Sequence, residues 1–593
     1  MKTKWDLTKI IPEEKIDEHT KKKVRAWKKF AKNYRKDKSF LKSPIALKKA
    51  LDELCGLSIL YEVCGVDNFY YRLAGDLNLE DTMIKQKEKE LFDIVVQLGN
   101  ELEFFSLELG KVKKEIQKIF LKSPELSTYR YFLKRLFELA KYDLPEESEK
   151  IFNLLSYSSW SSWIKMTEEL INSEKVSVHD VHGKVHALSF EALISRMQDQ
   201  NQKVREEANI KFNKILSKHK KPAEYEINSI LDFKRVSDEL RGYEYPEQSN
   251  FIGNDVEKDV VDKLVSEVSK RNDISHRYYE LKARLMGKKK LEYYERNVPY
   301  GSVSKKYKFN EAYLLVEKTI SKLDPEFHKI YRRYFDDGLV DVFPKVGKTN
   351  GGYCSTIMIS KPSYVLLNYS NKINDVTTLA HEMGHVINYE IMKRVENPLY
   401  YGNSSLLLEV PSNLFEDLVT DEIENNLKNE ERLGLIMERL NSSVSSVFRQ
   451  IACYKFEGDL HRLFNIKRFV SEKEIGQLFS KRMKEYMGDG VNNPNYAKDW
   501  WIYWSHIRNF FYVYSYASGE LISKYMKKML RENNNWVNLF KKYMEAGESD
   551  SPVNILKLLG IEVKSGKVWA EGINEIEEQL NEAEQLAKKL GKI

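Results

Sequence analysis

The stretch from His381 to His385 constrains the fold more than any other, because it reads H-E-x-x-H within a segment of helical spacing. Between Asp375 and Met392, apolar residues recur three and four positions apart and form one stripe. The two histidines lie one turn apart on the opposite side, so both imidazoles can bind one metal ion. We therefore predict a helix over these residues, with Asn374 or Asp375 as its N-cap.

A catalytic metal site of this kind needs a third protein ligand from outside the helix. One class of zinc peptidase has Gly and His where this chain has Asn388 and Ile391, so that class is excluded. A carboxylate on a second helix remains. Glu409 follows three leucines, and an acid in such a setting is rarely buried without a partner. Pro411 would start or kink its helix, and Glu416, two turns further on, either orients a ligand histidine or is a solvated acid.

The composition indicates a globular, mainly helical protein with more than one subdomain. The chain has 593 residues, 42% of them hydrophobic and 31% charged, with only 14 Pro and 27 Gly. A net charge of +7 is small for a chain of this length and does not predict nucleic-acid binding. The absence of an apolar run of about 18 residues predicts no membrane contact. Four cysteines without a C-x-x-C pair predict free thiols and a cytoplasmic protein.

The pattern along the chain predicts helices, interrupted by a single sheet. Predicted helices cover 14–34, 44–63, 81–109, 145–171 and 189–215, with two more over 255–335 and a packed turn at 156–163. Predicted strands cover 340–343, 353–359 and 364–367, immediately before the H-E-x-x-H helix. Gly351 and Gly352 in that region allow a second backbone to approach, either a substrate peptide or the partner strand of an ordinary hairpin. We place a domain boundary near residue 195.

Aromatic residues are concentrated between Trp500 and Tyr516. Such a run is usually core. Several tyrosine hydroxyls and one histidine, His506, are harder to bury without partners, so the run could also line a polar cleft.

These features together resemble the oligoendopeptidase F branch of the thimet-oligopeptidase-like family of zinc metallopeptidases. The resemblance rests on the opening Trp5-Asp6-Leu7 and on the runs 347–353, 366–369, 379–385, 409–412 and 506–519. It implies a mainly α fold of two helical halves around a deep substrate channel, with a small sheet beside the zinc helix. The N-terminal helical region would be 1–195 and the catalytic region 196–593.

The resemblance also implies a role for each motif residue. His381, His385 and Glu409 would bind one Zn²⁺ per chain, and Glu382 would be the general base acting on zinc-bound water. Asn388 departs from the family, which commonly has a histidine there that is not a zinc ligand.

The same resemblance extends to substrate binding. Gly351, Gly352 and Tyr353 would contact the peptide backbone. His506 and a tyrosine would stabilise the oxyanion, with Tyr514 ranked first and Tyr512 second. The predicted partners are short unfolded peptides.

Two other functions stay open from the sequence. A metallocarboxypeptidase on a similar fold would need a basic side chain for the free carboxylate of its substrate, and Arg508 is one candidate. A non-catalytic peptide-binding protein with a structural metal would need a fourth protein ligand.

Overall fold

The structure is a computed structural model that describes residues 1–301, 306–533 and 535–593. It is mainly α-helical, which confirms the predicted fold class. The helices before residue 301 are α1 (Ile16–Lys36), α2 (Pro44–Tyr61), α3 (Val66–Leu77), α4 (Thr82–Gly110), α5 (Lys114–Lys122), α6 (Arg130–Leu139), α7 (Glu146–Ser156), α8 (Ser162–Asn172), α9 (Phe190–Arg196), α10 (Gln202–Lys218), α11 (Lys220–Arg241), α12 (Gln248–Gly253), α13 (Lys258–Lys270) and α14 (Asn272–Leu285).

The remaining helices follow residue 306. They are α15 (Phe309–Leu323), α16 (Pro325–Asp336), α17 (Ile373–Met392), α18 (Val410–Glu424), α19 (Asn429–Ser443), α20 (Gln450–Lys467), α21 (Glu472–Met487), α22 (Tyr514–Glu532), α23 (Trp536–Ala546), α24 (Pro552–Lys557) and α25 (Lys567–Lys589). Short π-helical segments at Tyr157–Ser161 and Val444–Arg449 precede α8 and α20.

The strands form two small sheets. In the first, β1 (Lys175–His179) and β2 (Val185–Ser189) make an antiparallel hairpin. In the second, β5 (Tyr364–Leu366) is central, with β3 (Val340–Asp341) parallel on one side and β4 (Tyr353–Ser355) antiparallel on the other. The second sheet confirms the sheet predicted before α17.

Several details of the predicted elements were wrong, among them the single helix predicted over 189–215, which is two helices, α9 and α10. The hairpin β1–β2 was not anticipated: its two strands are only five residues long each and largely exposed, although Val176 and Val178 alternate with polar residues in β1. The region 255–335 forms four helices rather than two, and Asp324 with Pro325 makes the break before α16 by capping its first turn. The turn predicted at 156–163 is helical, since the π-helical segment joins α7 to α8.

The chain forms two compact units, each built from three stretches. The first comprises Met1–Glu146, Lys305–Asn425 and Met526–Ile561, and the second comprises Glu147–Ser304, Asn426–Tyr525 and Glu562–Ile593. The predicted boundary near residue 195 concerns functional regions rather than compact units. That boundary and the predicted channel both stay predictions.

The first unit has an aromatic core between α1, α2, α4, α5 and α6. On α1, Trp27, Phe30 and Tyr34 recur at helical spacing and are buried, while the lysines between them mostly face outward. Phe40 stacks on Phe105 of α4 with ring centroids 4.7 Å apart. This packing holds the N-terminal helices together, and the segment before them reaches the three-stranded sheet, where Trp5 Nε1 donates to the carbonyl of Val365 at 2.8 Å.

The second unit is built around α20 and α21. Phe456 and Phe479 meet edge to face with centroids 5.3 Å apart, and Trp501 is fully buried nearby in a 3₁₀ segment, Asn495–Ile502, that packs on α21. The C-terminal helix α25 carries many charges, but its apolar face is buried against α13, α14 and α19, with Trp569 and Ile576 at 0% exposure. Its amphipathic pattern therefore encodes a structural contact within this unit.

Candidate metal centre

Helix α17 carries the H-E-x-x-H motif and begins two residues earlier than predicted. Its N-cap is Lys372, not Asn374 or Asp375. Asp375 occupies the third helical position, where Oδ2 accepts hydrogen bonds from the backbone amides of Lys372 at 2.9 Å and Ser370 at 2.6 Å. The carboxylate therefore satisfies amides that precede the helix, which is the reverse half of a capping box.

The motif face of α17 is more buried than an amphipathic pattern predicts. The apolar stripe, including Leu379 and Met383, is fully buried, and on the other side Glu382 and His385 are only 6% and 9% exposed. Helices α15, α16, α18 and α23 all pack against α17. The two histidines and the glutamate are thus held by packing on several sides.

Gly384 lets α18 approach the motif at its centre. A Cβ at this position would lie 2.7 Å from Cα of Ser412 and 3.0 Å from the carbonyl oxygen of Pro411. Any larger residue would force the two helices apart. Glu409 is the N-cap of α18 and Pro411 lies in its first turn, as the sequence predicts, so this close contact brings the Glu409 carboxylate to α17.

Three ligand atoms converge at the point where α17 meets the start of α18. Glu409 Oε2 lies 3.3 Å from His381 Nε2 and 3.3 Å from His385 Nε2. Two ligands of one tetrahedral zinc, each about 2.0–2.1 Å from the ion, are separated by about 3.3 Å. Within the described part of the chain, this is the cluster of His, Cys, Asp and Glu that could hold a metal ion. Two imidazoles and one carboxylate fit zinc in both donor type and spacing.

Hydrogen bonds behind the ligands orient them. His381 Nδ1 lies 3.0 Å from Glu416 Oε2, and Ser412 Oγ donates to Glu409 Oε2 at 3.0 Å. His385 Nδ1 is buried and has no hydrogen-bond partner among the described residues. Glu416 therefore supports His381 alone, in the orienting role that the sequence left open beside that of a solvated acid.

Electrostatics favour the ligands in their paired form. Burial opposes the charge on each group, but the hydrogen bonds between them outweigh it. They raise the pKa of His381 well above its usual range, through Glu409 and Glu416, and hold the pKa of Glu409 well below its own, through both histidines. Glu409 is thus held ionised, the form in which a carboxylate binds a metal.

Glu382 lies beside the ligands in a different environment. Burial raises the pKa of its carboxyl, and the charges of His381 and His385 oppose that shift only in part. The backbone amide of Cys354 on β4 donates a hydrogen bond to it. A buried carboxylate with a raised pKa, held beside a metal site, has the properties of a general base.

The glycine pair predicted to contact substrate lies on the same unit, at the start of the edge strand β4. Gly351 has a positive φ of 82°, a conformation that favours glycine, and a Cβ on Gly352 would lie 2.8 Å from Cγ2 of Thr378 on α17. Tyr353 donates its hydroxyl to Asp76 Oδ2 at 2.5 Å. The pair thus runs directly along the motif helix, with Tyr353 anchored by Asp76.

The aromatic residues predicted to act with His506 belong to the second unit. His506 Nδ1 hydrogen bonds the Tyr512 hydroxyl, and the Tyr516 ring lies 5.7 Å from the imidazole and 5.9 Å from the Tyr512 ring. Tyr514 is fully buried instead, against Phe251 and Tyr454 at 6.0 and 6.1 Å. The structure therefore brings Tyr512 and Tyr516 to His506 and places Tyr514 in the core.

Tyr516 is the third tyrosine considered from the sequence, ranked below Tyr514 and Tyr512 and assigned to packing. Tyr512 precedes α22 and Tyr516 lies in its first turn, so helical spacing does not account for how the two rings meet. Arg508, the candidate carboxylate binder, is 3% exposed and donates to both carboxylate oxygens of Glu226. Because Glu226 already occupies the guanidinium of Arg508, that group is not available to bind the carboxylate of a substrate, and this assignment was wrong.

Sequence comparison decides the family. A profile described as Peptidase family M3 matches residues 195–575, more than half of the chain. The chain belongs to peptidase family M3. It is therefore a metallopeptidase, a metal-dependent hydrolase of peptide bonds, as the sequence predicts. A second profile, described as Oligopeptidase F, matches residues 108–173.

Curated relatives cover most of this M3 peptidase. Oligopeptidase PepF of Bacillus subtilis (strain 168) is 24% identical over 532 residues, which is 88% of this chain and 78% of the relative. Group B oligopeptidase PepB of Streptococcus agalactiae serotype III (strain NEM316) is 22% identical over 528 residues, covering 88% of this chain and 87% of the relative. The resemblance seen in the motifs therefore extends through both compact units.

Solved structures share the fold. A crystal structure from Chlamydophila abortus, described as a peptidase, is 22% identical with a TM-score of 0.84 and covers 98% of each chain. Oligoendopeptidase-F from Enterococcus faecium is 18% identical with a TM-score of 0.72, covering 97% of this chain and 100% of the other. In the part of the M3 peptidase that the structure describes, each helix is too short or too polar to cross a membrane.

Proposed function

We propose that this M3 peptidase is a zinc-dependent oligoendopeptidase that hydrolyses short unfolded peptides. The observation that carries the proposal is the convergence of His381, His385 and Glu409, with 3.3 Å between the Glu409 oxygen and each imidazole nitrogen. Curated relatives named as oligopeptidases support the substrate class.

The metal would be held by His381 Nε2, His385 Nε2 and Glu409 Oε2. Bound there, zinc supplies Lewis-acid chemistry, polarising the scissile carbonyl and lowering the pKa of a water molecule. Three protein ligands leave a coordination position free for substrate or water, as in catalytic rather than structural zinc sites. Glu416 keeps His381 in the tautomer that presents the Nε2 lone pair.

Glu382 would move the proton. Its carboxylate accepts a proton from the attacking water and later delivers it to the leaving amine. The raised pKa brings the group closer to neutral pH, where a carboxyl both accepts and releases a proton readily. The amide of Cys354 holds the carboxylate in place and couples it to the edge strand β4.

The edge of β4 would bind the substrate backbone. β4 has β5 as its neighbour in the three-stranded sheet, so its other edge can pair with an extended peptide. Gly351 and Gly352 allow that peptide to lie close to the chain, beside Glu382 on α17. His506, with Tyr512 or Tyr514, would stabilise the developing oxyanion, a role implied by the resemblance.

The two other functions receive less support. The metallocarboxypeptidase loses its candidate carboxylate binder, because Arg508 is paired with Glu226. A closed structural metal site needs four protein ligands, and the cluster found in the described residues offers three.

The test is Glu382→Gln, which keeps the size of the side chain and removes the base. We expect zinc content to be unchanged, and the turnover of an internally quenched peptide to fall by about 10²- to 10⁴-fold. Glu396→Gln, at an exposed glutamate four residues after the end of α17, is the matched control and should retain wild-type turnover. Near-normal turnover of Glu382→Gln with a full complement of zinc would remove Glu382 from the mechanism.

A second measurement separates endopeptidase from carboxypeptidase. We expect a peptide acetylated at its N-terminus and amidated at its C-terminus to be cleaved internally, with products identified by mass spectrometry. Release of C-terminal residues from the unamidated peptide alone, with no internal cleavage of either form, would favour the carboxypeptidase.

A further inference from the structure

The second unit contains an open cleft of about 670 Å³, and apart from His506 and Arg508 its lining residues received no role from the sequence. Its walls include Ile171 of α8, Phe190 of α9, the loop residues Trp504 and His506, and Arg449 at the end of the π-helical segment before α20. The volume lies within the range of about 300–1,000 Å³ seen for small-ligand sites. π-helical turns within helices are frequent at functional sites.

Arg449 is the unusual member of this wall. It makes no ion pair with any described residue, and its Nε is buried without a hydrogen-bond partner there. The groups that act on its charge are the thiol of Cys453 and the hydroxyls of Tyr486, Tyr293 and Tyr279, none of which is a carboxylate. Arg449 is half-buried as a whole, and its guanidinium lacks the anion that usually accompanies a charge drawn away from water.

The other charged groups of the cleft do not supply that anion. Arg508 also lines the cleft, but its guanidinium is hydrogen bonded to both carboxylate oxygens of Glu226. Glu168 and Glu191 line the cleft with exposed side chains, and neither forms an ion pair with Arg449 in the described structure. The cleft therefore carries two exposed carboxylates and one further guanidinium, that of Arg449, which is paired with neither of them.

Arg449 and His506 line the same cleft, and the charge of Arg449 affects the imidazole. Burial lowers the pKa of His506, and the positive charge of Arg449 lowers it further. A group that binds beside the imidazole therefore lies within the field of the guanidinium. His506 is predicted to stabilise the oxyanion that forms on the peptide, so the anion most readily available to Arg449 belongs to the substrate.

We propose that this cleft binds a carboxylate of the peptide substrate through paired hydrogen bonds from Arg449. A planar guanidinium with five donors matches a carboxylate in a bidentate manner, and carboxylates are the only anions of an unmodified peptide. The carboxylate is either an Asp or Glu side chain or the free C-terminus. The proposal rests on the proposed function and deepens it by naming a carboxylate of the peptide as the group that this cleft recognises.

The test compares matched peptides with the full-length zinc enzyme. One internally quenched series moves a single Glu through each position against Gln, and a second pair has a free or an amidated C-terminus. We expect kcat/KM to favour one carboxylate-bearing peptide by about 10- to 100-fold, the usual value of a charged hydrogen bond. A preference in the first series identifies a side chain as the source, and a preference in the second identifies the C-terminus.

Arg449 variants then assign that preference. In Arg449→Gln the ratio between the matched peptides should fall to near one, while Arg449→Lys should keep part of it. Arg284→Gln, at an exposed arginine of the same unit, is the control for general loss of charge and should keep the wild-type ratio. Circular dichroism and zinc content establish that each variant is folded.

The proposal is overturned if wild-type enzyme shows no preference in either series, or if Arg449→Gln retains the full preference. If wild-type enzyme cleaves none of the peptides, the proposed function fails separately. Calorimetric titration of the same peptides then tests the cleft by itself: tighter binding of the carboxylate form that is lost in Arg449→Gln supports it, and equal binding of both forms overturns it.

Discussion

His381 presents its two ring nitrogens to two different carboxylates, with Nδ1 3.0 Å from Glu416 Oε2 and Nε2 3.3 Å from Glu409 Oε2. A hydrogen bond from Nδ1–H to Glu416 leaves the Nε2 lone pair directed to the metal position. Glu409 also lies 3.3 Å from His385 Nε2, so its carboxylate is common to both histidines. Glu409, at the start of α18, is therefore placed to serve as a ligand, and Glu416 on the same helix is placed to orient one.

This division predicts different losses of zinc. Glu409→Ala should lose most of its zinc, because two histidines alone bind weakly. Glu416→Ala should retain the site and weaken zinc binding by roughly 10- to 100-fold. Competition with a chromogenic chelator measures both, and Glu416→Gln, which can still accept the hydrogen bond, serves as the conservative comparison. The reverse order of effects would mean that the two acids have exchanged roles.

Gly384 provides a test of the helix contact that forms the site. Gly384→Ala places a methyl group against the start of α18, so we expect a loss of stability of about 1–3 kcal/mol and weaker zinc binding. Gly99→Ala is the matched control, since Gly99 lies within helix α4 with nothing within 4 Å of a Cβ. It should be neutral or stabilising by up to about 1 kcal/mol. Thermal unfolding with and without zinc measures both effects. Unchanged zinc affinity in Gly384→Ala would show that the contact does not set the ligand geometry.

The hydrogen bond between His506 and Tyr512 makes Tyr512 the stronger candidate for the oxyanion role, although the resemblance ranks Tyr514 first. We expect Tyr512→Phe to lower kcat by about 10²- to 10³-fold with zinc content unchanged. Tyr514→Phe, a change of the same size in the core, is the comparison and should have the smaller effect on kcat. Steady-state kinetics on one quenched peptide decides between them. If Tyr514→Phe alone is impaired, the ranking from the resemblance is correct.

Glu457 predicts how stability depends on pH. Burial on α20 raises the pKa of its carboxyl to about 8, while its Oε2 accepts the Phe511 amide at 3.0 Å. An unfolded glutamate has a pKa of about 4.3, so the folded protein holds this proton more tightly between the two values. Stability therefore falls as the pH rises through that window, from about 4 to about 8.

Glu457→Gln should remove this loss. At pH 5 we expect the variant and the wild type to unfold at similar temperatures, and at pH 8.5 we expect the variant to unfold several degrees higher. Calorimetry across this range measures the difference, with Glu280→Gln at an exposed glutamate of the same unit as control. A constant difference between pH 5 and pH 8.5 would contradict a raised pKa at Glu457.

Much of the site follows from local sequence. A spacing of four residues places His381 and His385 on one side of any helix, whatever surrounds it, so the pair could be predicted without a structure. Helix bounds followed from periodicity in the same way: the predicted helix 81–109 is observed as Thr82–Gly110. The mainly α class is the sum of such local patterns.

Other parts required the folded chain. Arg508 and Arg449 are both basic residues close to the same cleft, and no sequence pattern says that Arg508 pairs with Glu226, 282 positions away, while Arg449 forms no ion pair in the described structure. Tyr512 and Tyr514 are equally aromatic, yet one bonds His506 and the other is buried against Phe251.

The sequence by itself determined the helical class, the metal-binding pair on α17, and Glu409 as the candidate third ligand. The tertiary structure decided how near Glu409 comes to that pair, through the contact of Gly384 with Ser412, and which acid supports His381. The reason is physical: helical periodicity depends on residues within a few positions, whereas ligand distances and ion pairs depend on how separate helices pack against one another.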